Sequence, residues 1–480
     1  MGLLLVTATG ICSMMGASIN VIPFMIQKNV PGIGPYVVPA FLFAAIPAIF
    51  AAYAYAILSS AMPRAGGSYL YASRGLSPYL GFIASFSQWF GLSIVIGVIS
   101  YIIVPFIRDV FFNLGFINIS DFLEIGYVRL TISLLLIWLF VLVNIVGGKV
   151  YKNTLIPMLV IMFVLGSIVL ITGLVYDQND FINSVLTSEN RVIEPILDIK
   201  FDWKIFLTAA TLMFSSFIGF DAIAQTGNEA KNPTKNIPRA ILLAIFIVAS
   251  YYILFTISVY NIVPWSFVAD ESITKDITAP GLLSYVLPQF WGILIIIGAA
   301  IALINDLPAM ILSVSRLMFA WAKDNIFPNR VALIHSKFNT PYIAIILVGV
   351  VASIGAIGSH FAGDFFLGID IMVTSMMINF LLMCITLISI QKVNFKLFRN
   401  ITVIKNRAIQ LFIGYTGTLI ILIFLIIHTY KDLSSNVEEW YFHSTYIYLI
   451  VMTIASIYFA LRWKTVQVKN KNTFKTLPVE

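Results

Sequence analysis

Three carboxylates lie in segments of the chain that are otherwise almost entirely apolar. Asp221, Asp306 and Asp370 are each flanked by runs of aliphatic and aromatic residues. An ionisable side chain in hydrocarbon is costly, so such residues usually pair with a polar group, bind a cation or carry a proton. Asp306 precedes Arg316 by ten residues, which is about 15 Å along a helix. The sequence therefore predicts cation binding or proton transfer deep inside an apolar protein, with Asp306 as the strongest candidate.

Two apolar segments are interrupted by small and polar residues where a membrane helix would normally continue. The first interruption lies in residues 8–24 and contains Gly10, Ser13, Gly16, Ala17 and Ser18. The second is Ser215–Gly219. A helix that stops at membrane depth leaves N–H and C=O groups unpaired, and these can hold a ligand. Close helix packing is the alternative explanation of the small residues. Interruptions at matching positions of two halves favour a transporter site.

The elements that must position these groups are transmembrane helices. The chain has 480 residues, of which 60% are hydrophobic and 11% are charged, whereas soluble domains average about 25% charged residues. A helix needs about 20 apolar residues to cross a bilayer. Twelve segments qualify, from near 3–27 to near 444–463, and the first and the sixth (203–228) are the interrupted ones. We therefore expect an all-α integral membrane protein with twelve transmembrane helices.

The basic residues predict the orientation of these helices. If the N-terminus is cytoplasmic, most of the 29 Lys and Arg residues fall in inner loops or the C-terminal tail, and the outer segments 177–202 and 263–283 are acidic. This distribution follows the positive-inside rule and predicts that both termini are cytoplasmic, in the cell membrane. An anionic inner leaflet explains the net charge of +7, so no nucleic-acid partner is expected.

Cofactor and metal chemistry is not expected from this composition. The chain has four His and two Cys residues, and Cys12 and Cys384 both lie inside apolar segments. They do not form the clustered pattern of a metal site. A membrane enzyme would need clustered acids or histidines at an interface, and a passive pore is more often built from short symmetric subunits. We therefore expect a transporter of a small molecule, with no cofactor, and enzyme and channel are the rival classes.

Four stretches of the chain resemble the amino acid–polyamine–organocation (APC) superfamily of permeases. They are MGASINVIP (15–23), MPRAGGSYLYASRGLSPYLGFIASFSQW (62–89), GFDAIAQTGNEAKNPTKNIPRAI (219–241) and SRLMFAWAKDNIFP (315–328). The stretch 219–241 matches the family pattern most closely. In the stretch 15–23, Ser18 and Asn20 stand where the family pattern has a glycine and an aromatic residue. The resemblance covers nearly the whole chain.

This resemblance implies a LeuT-type five-plus-five inverted repeat in which helices 1 and 6 are broken. The first repeat would be 1–176, followed by an outer loop at 177–202 and the second repeat at 203–390. Residues 391–480 would form the last two helices and a cytoplasmic tail. The implied function is secondary transport of amino acids by alternating access, coupled to H⁺ or Na⁺. An uncoupled exchanger and a carrier of polyamines or other organic cations are the alternatives.

An amino acid zwitterion would bring a carboxylate and an ammonium to the bilayer midplane, where each must be paired. The carboxylate suits free N–H groups at the start of a half-helix, which we expect at Gly16, Ala17 and Ser18. The ammonium suits carbonyls freed where half-helices end, which we expect at Ile11, Ser13, Phe214 and Ser215. The remaining candidates lie in or just after the second interruption. Phe217 and Phe220 are candidate lids, Gly219 lies in the break, and Asp221 is a candidate substrate contact or structural bond.

The coupling ion is expected in the eighth helix. Related sodium-coupled carriers use hydroxyl residues near this point to hold a cation, and here the residues are Asn305 and Asp306. Proton-coupled relatives often have a lysine in the fifth helix, but that place falls on Met162, and segment 154–176 contains no Lys. Asp306 is therefore expected to act as a protonatable carboxylate or as a cation ligand.

Overall fold

The computed structural model describes residues 1–16, 18–193, 199–274, 277–362, 366–435, 439–469 and 473–477. Within these ranges the chain forms α-helices and short 3-10 turns, and no β-strand is present. In the part of the chain that the structure describes, twelve helical spans are long and apolar enough to cross a membrane. The prediction of an all-α protein with twelve membrane-spanning helices is therefore confirmed.

The N-terminal part of the chain contains five membrane spans, and the first of these consists of the two helices α1 (Leu3–Met14) and α2 (Ser18–Asn29). The helices that follow in this part are α3 (Val37–Ala61), α4 (Gly67–Gly75), α5 (Pro78–Asn113), α6 (Ile117–Glu124), α7 (Gly126–Val146), α8 (Gly148–Val175) and α9 (Gln178–Glu189). Polar caps set several boundaries: the Ser77 hydroxyl accepts the Leu80 N–H at 3.2 Å before α5, and Asp177 forms a capping box at the start of α9. These caps satisfy N–H groups that have no partner within the helix.

The second half begins with the other interrupted span. Its helices are α10 (Trp203–Met213), α11 (Ala222–Gln225), α12 (Pro233–Ile262), α13 (Trp265–Thr274), α14 (Ala279–Leu283), α15 (Gln289–Lys323), α16 (Tyr342–Ala362), α17 (Phe366–Val393), α18 (Phe395–Phe398), α19 (Arg407–Ser434) and α20 (Ser444–Lys469). Asp202 caps α10 by accepting the Lys204 N–H at 2.6 Å. The long helix α15 contains both Asp306 and Arg316, as the spacing of these residues predicts.

The interrupted spans lie in the interior of the helix bundle. In the most apolar window of Leu3–Asn29, 94% of the residues are buried, compared with 22% in the corresponding window of α8. The central helix α5 packs against α15, α16 and α17, while α1 packs against α12 and α15. Irregular backbone at membrane depth is tolerated only where protein or a watery cavity surrounds it. The peripheral helices therefore enclose the two spans that contain the candidate site.

Candidate functional site

The first interruption separates α1 from α2. The last turn of α1 closes with a hydrogen bond from the Met15 N–H to the Ile11 carbonyl at 2.8 Å, and Met15 leaves the helical region with φ −90° and ψ 66°. Gly16 continues the bend, and Ala17 lies outside the described residues. A Cβ atom on Gly16 would lie 2.1 Å from Asp306 Oδ2. The Gly16 backbone therefore lies against the Asp306 carboxylate, and a larger residue would require that side chain to shift.

The second interruption follows α10. Phe214–Phe217 form a 3-10 turn, and Ile218 is extended with φ −80° and ψ 134°. Gly219 has φ +136°, and a Cβ atom there would lie 2.1 Å from the Ser13 carbonyl oxygen. The two irregular segments therefore contact each other, and the contact depends on the missing side chain of Gly219.

A small cavity of about 50 Å³ lies where these segments meet α5, α15 and α17. Ser13, Ser215 and Asp306 form its polar part. The remaining lining is apolar and consists of Met14, Val21, Ile22, Val95, Val98, Ile99, Ile102, Ile218, Met310, Ile369 and Met372. The lining is therefore mostly apolar, and its face on α5 (Val95, Val98, Ile99 and Ile102) is called the aliphatic wall below.

Two buried polar atoms at this cavity lack hydrogen-bond partners. Across the described ranges, neither the Ser13 hydroxyl nor Asp306 Oδ1 is hydrogen-bonded, although Asp306 is only 3% exposed. The Ser215 hydroxyl, in contrast, donates to the Leu212 carbonyl at 2.7 Å. Buried polar groups are normally paired, so each exception needs an explanation. A polar or cationic ligand in the cavity would satisfy both Ser13 and Asp306.

Asn305, the neighbour of Asp306, points toward α1. Its Nδ2 donates to Cys12 Sγ at 3.0 Å, and its Oδ1 has no partner among the residues described. Asn305 is not part of the cavity lining. The sequence predicted the two residues as a pair, whereas the cavity brings only Asp306 together with Ser13 and Ser215.

Asp221 belongs to a different polar network. Its carboxylate accepts the Gly219 N–H at 3.2 Å and a hydrogen bond from Gln88 Nε2. The network continues through Gln225, which donates to the Ser68 hydroxyl at 3.0 Å. Asp221 is not part of the cavity lining. In this conformation it makes the structural bond to neighbouring backbone that was one of its two expected roles.

Asp370 also lies away from the cavity. Its Oδ2 is 3.4 Å from Lys431 Nζ, and it is near the start of α17. Of the three acids that the sequence singled out, Asp306 is therefore the one at the cavity.

The three candidate phenylalanines pack in aromatic clusters. Phe217 contacts the ring of Phe41 at 5.3 Å between centroids. Phe214 and Phe220 both contact Phe380, at 6.0 and 5.0 Å. None of these three side chains lines the cavity in the described part of the chain. In this conformation they are core residues, and a lid role for Phe217 or Phe220 stays a prediction.

Sequence reasoning missed the aliphatic wall of the cavity. Val95, Val98, Ile99 and Ile102 on α5 have the i, i+3, i+4, i+7 spacing of a single helix face. The same spacing occurs on faces that contact lipid or other helices, so it does not distinguish a cavity wall. The interruption in residues 8–24 was the available signal, because Ser13 and Met14 at the end of α1 line the same cavity as the wall.

Comparison with known proteins identifies the family. The sequence model described as amino acid permease matches residues 1–473. A branched-chain amino acid permease of Bacillus subtilis (strain 168) is 29% identical over 150 residues, which is 31% of this chain and 31% of that protein. Cationic amino acid transporter 4 of Mus musculus is 29% identical over 152 residues, or 32% of this chain and 23% of that protein.

An uncharacterized transporter of Mycobacterium tuberculosis is 34% identical over 164 residues, 33% of this chain and 36% of that protein. The matched stretches thus span roughly a third or less of the length of these relatives. The family match, however, extends over nearly the whole chain. With its twelve membrane-spanning helices, the chain belongs to the amino acid permease family, within the APC superfamily.

Proposed function

We propose that this protein is a secondary active transporter that moves amino acids across the plasma membrane by alternating access. The observation that carries the proposal is the central cavity, where two interrupted helices meet and Asp306 Oδ1 has no protein partner in the described ranges. Broken helices around a midplane site supply both free N–H and free C=O groups to a charged substrate. The APC family match supports the same function.

The substrate carboxylate would bind at the start of α2, near the backbone of Gly16, Ala17 and Ser18. Free N–H groups and the helix dipole favour an anion at this position. The ammonium would bind the carbonyls and hydroxyl at the ends of α1 and α10, mainly at Ser13 and Ser215. The Ile11 carbonyl is a weaker candidate, because it already accepts the Met15 N–H.

Three cavities that follow one another along α15 support alternating access. One of about 670 Å³ reaches Ile296, the central cavity reaches Asp306, and one of about 290 Å³ reaches Arg316. These residues are ten positions apart, or about 15 Å by helical rise. A site midway between cavities at opposite ends of a helix suits a carrier that opens to each side in turn. We assign the ion pair between Arg316 Nη2 and Glu229 Oε1, at 2.7 Å, as the inner closure.

The proposed topology follows from the basic loops and the paired interruptions. Both termini would be cytoplasmic, and the inverted repeats would be 1–176 and 203–390 with the outer loop 177–202 between them. Residues 391–480 would supply the last two helices and the tail. The irregular segments after α1 and α10, each in the first helix of a proposed repeat, support this division.

We propose that Asp306 couples substrate movement to H⁺ or Na⁺. A cation stabilises the ionised form of a buried carboxylate, whereas desolvation favours the neutral form. Met162, at the place of the coupling lysine in related carriers, lines a small cavity beside Met15. Because Met162 has no charge, Asp306 is the better candidate, with Asn305 beside it. Exchange without a coupling ion is the alternative.

We expect Phe220→Ala to raise the apparent KM several-fold if Phe220 closes over bound substrate, because occlusion needs bulk that excludes water. The ring would have to leave its stack on Phe380 to do so. The measurement is KM in proteoliposomes together with thermal stability. Phe82→Ala is a matched control, since Phe82 is a buried ring that stacks on Phe459 at 5.3 Å. An unchanged KM with lowered stability would assign Phe220 to core packing.

Counterflow in proteoliposomes tests the proposed function. Vesicles loaded with one unlabelled amino acid are diluted into the same labelled compound, for a panel of neutral, acidic and basic amino acids. We expect transient accumulation of at least one amino acid, which protein-free vesicles do not show. Counterflow with polyamines but with no amino acid would favour the organic-cation carrier.

A further inference from the structure

The lining of the central cavity is mostly apolar and includes three polar residues. Ser13, Ser215 and Asp306 are its polar lining residues. One face of α5 contributes an aliphatic wall through Val98, Ile99 and neighbouring residues, and α17 adds Ile369. Branched side chains of this kind are stiff, whereas Met14, Met310 and Met372 in the rest of the lining are flexible.

We infer that this wall is a side-chain subsite for short, uncharged aliphatic amino acids, from alanine to valine, leucine and isoleucine. The inference rests on the proposed function and specifies its substrate class. An ammonium or guanidinium group pressed against this wall would be desolvated without a counter-charge, which is strongly unfavourable. Asp306 is the one carboxylate in the lining of the described residues. In the proposed function Asp306 is neutralised by the coupling H⁺ or Na⁺, so it does not pair with a cationic side chain.

The size of the cavity sets a second limit. Its volume of about 50 Å³ corresponds to about four water-sized groups, at roughly 10–15 Å³ each. A valine or leucine side chain has three or four carbon atoms, so the cavity can hold that side chain, and the α-carboxylate and α-ammonium require it to widen further. An indole or a phenyl ring requires a larger displacement of α5 or α17. The wall thus excludes bulky rings by size and cationic side chains by desolvation.

Competition against labelled leucine in counterflow tests this inference. The competitors are alanine, valine, isoleucine, phenylalanine, lysine, arginine and putrescine. We expect the aliphatic compounds to inhibit at concentrations at least tenfold lower than lysine, arginine or putrescine. Equal or stronger inhibition by the cationic compounds, or counterflow with lysine but not leucine, would overturn the inference while leaving amino acid transport intact. Absence of counterflow for every amino acid would instead contradict the proposed function.

A pair of variants on α5 tests the wall itself. Ile99→Ala removes three carbon atoms from the wall and should raise the ratio of kcat/KM for phenylalanine over that for valine by about tenfold or more, since a single methylene already changes discrimination by about tenfold in hydrophobic pockets. Ile103→Ala is the matched control, because Ile103 is fully buried on the same helix but does not line the cavity. Thermal stability of both variants reports folding. An unchanged ratio in folded Ile99→Ala protein, or an equal shift in the control, would overturn the assignment of the wall.

Discussion

Asp306→Asn protein in proteoliposomes is expected to lose accumulation against a gradient while it retains exchange of substrate. The substitution keeps the shape of a side chain that is 3% exposed but removes the group that binds a proton or cation. The substrate contacts near Gly16, Ser13 and Ser215 stay in place, so exchange should continue. Counterflow and gradient-driven uptake are measured side by side, with the sodium and pH gradients varied separately.

Three outcomes of this experiment distinguish three roles. Loss of accumulation alone assigns coupling to Asp306. Loss of all substrate binding assigns it as the counter-charge of the substrate ammonium. Survival of both activities in folded protein would mean that Asp306 is structural and would contradict the coupling proposal. Asp370→Asn is the control. Asp370 is also a buried acid, but its carboxylate lies 3.4 Å from Lys431 Nζ and away from the cavity. The Asp370→Asn protein should therefore still accumulate substrate.

Gly219→Ala is expected to reduce transport by at least a hundredfold. The φ angle of +136° is unfavourable for any residue with a side chain, and the new Cβ atom would lie 2.1 Å from the Ser13 carbonyl oxygen. Because this atom belongs to backbone, no rotamer change relieves the overlap. The two irregular segments would move apart. The carbonyl and hydroxyl groups that we assign to the substrate ammonium would then no longer lie close together. Initial rates of counterflow measure the effect.

Gly358→Ala is the matched control for this variant. Gly358 lies inside α16, and a Cβ atom there would meet nothing within 4 Å. The Gly358→Ala protein should therefore transport at nearly the wild-type rate, because alanine is also a better helix former than glycine. Thermal stability of purified Gly219→Ala protein separates loss of the site from loss of the fold. Normal transport by folded Gly219→Ala protein would contradict the assigned contact between the two segments.

The helical architecture could be predicted from sequence because each membrane span is encoded locally. A run of about 20 apolar residues identifies a span wherever it occurs, and small residues at 8–24 and Ser215–Gly219 marked the positions at which α1 and the 3-10 turn after α10 end. The position of Asp306 and Arg316 on one helix, α15, agrees with their ten-residue spacing. These inferences need only helical rise and hydropathy, so they do not depend on how the helices pack.

The partners of individual side chains could not be predicted in this way. Gln88 donates to Asp221 from a helix that is distant in the chain, and no sequence pattern links the two residues. The same limit applies to Phe220, whose stack on Phe380 depends on the approach of α17. Aliphatic residues such as Val98 carry no sign of whether they face lipid, protein or a cavity. Tertiary packing decides each of these contacts.

The most direct test of the account is an experimental structure of the protein with leucine bound. We expect ligand density in the central cavity, with the carboxylate at the start of α2, the ammonium near Ser13 and Ser215, and the side chain against Val98 and Ile99. Density only in the outer cavity near Ile296 would contradict the assigned site. A continuous helix through Gly16 in the bound state would contradict it as well.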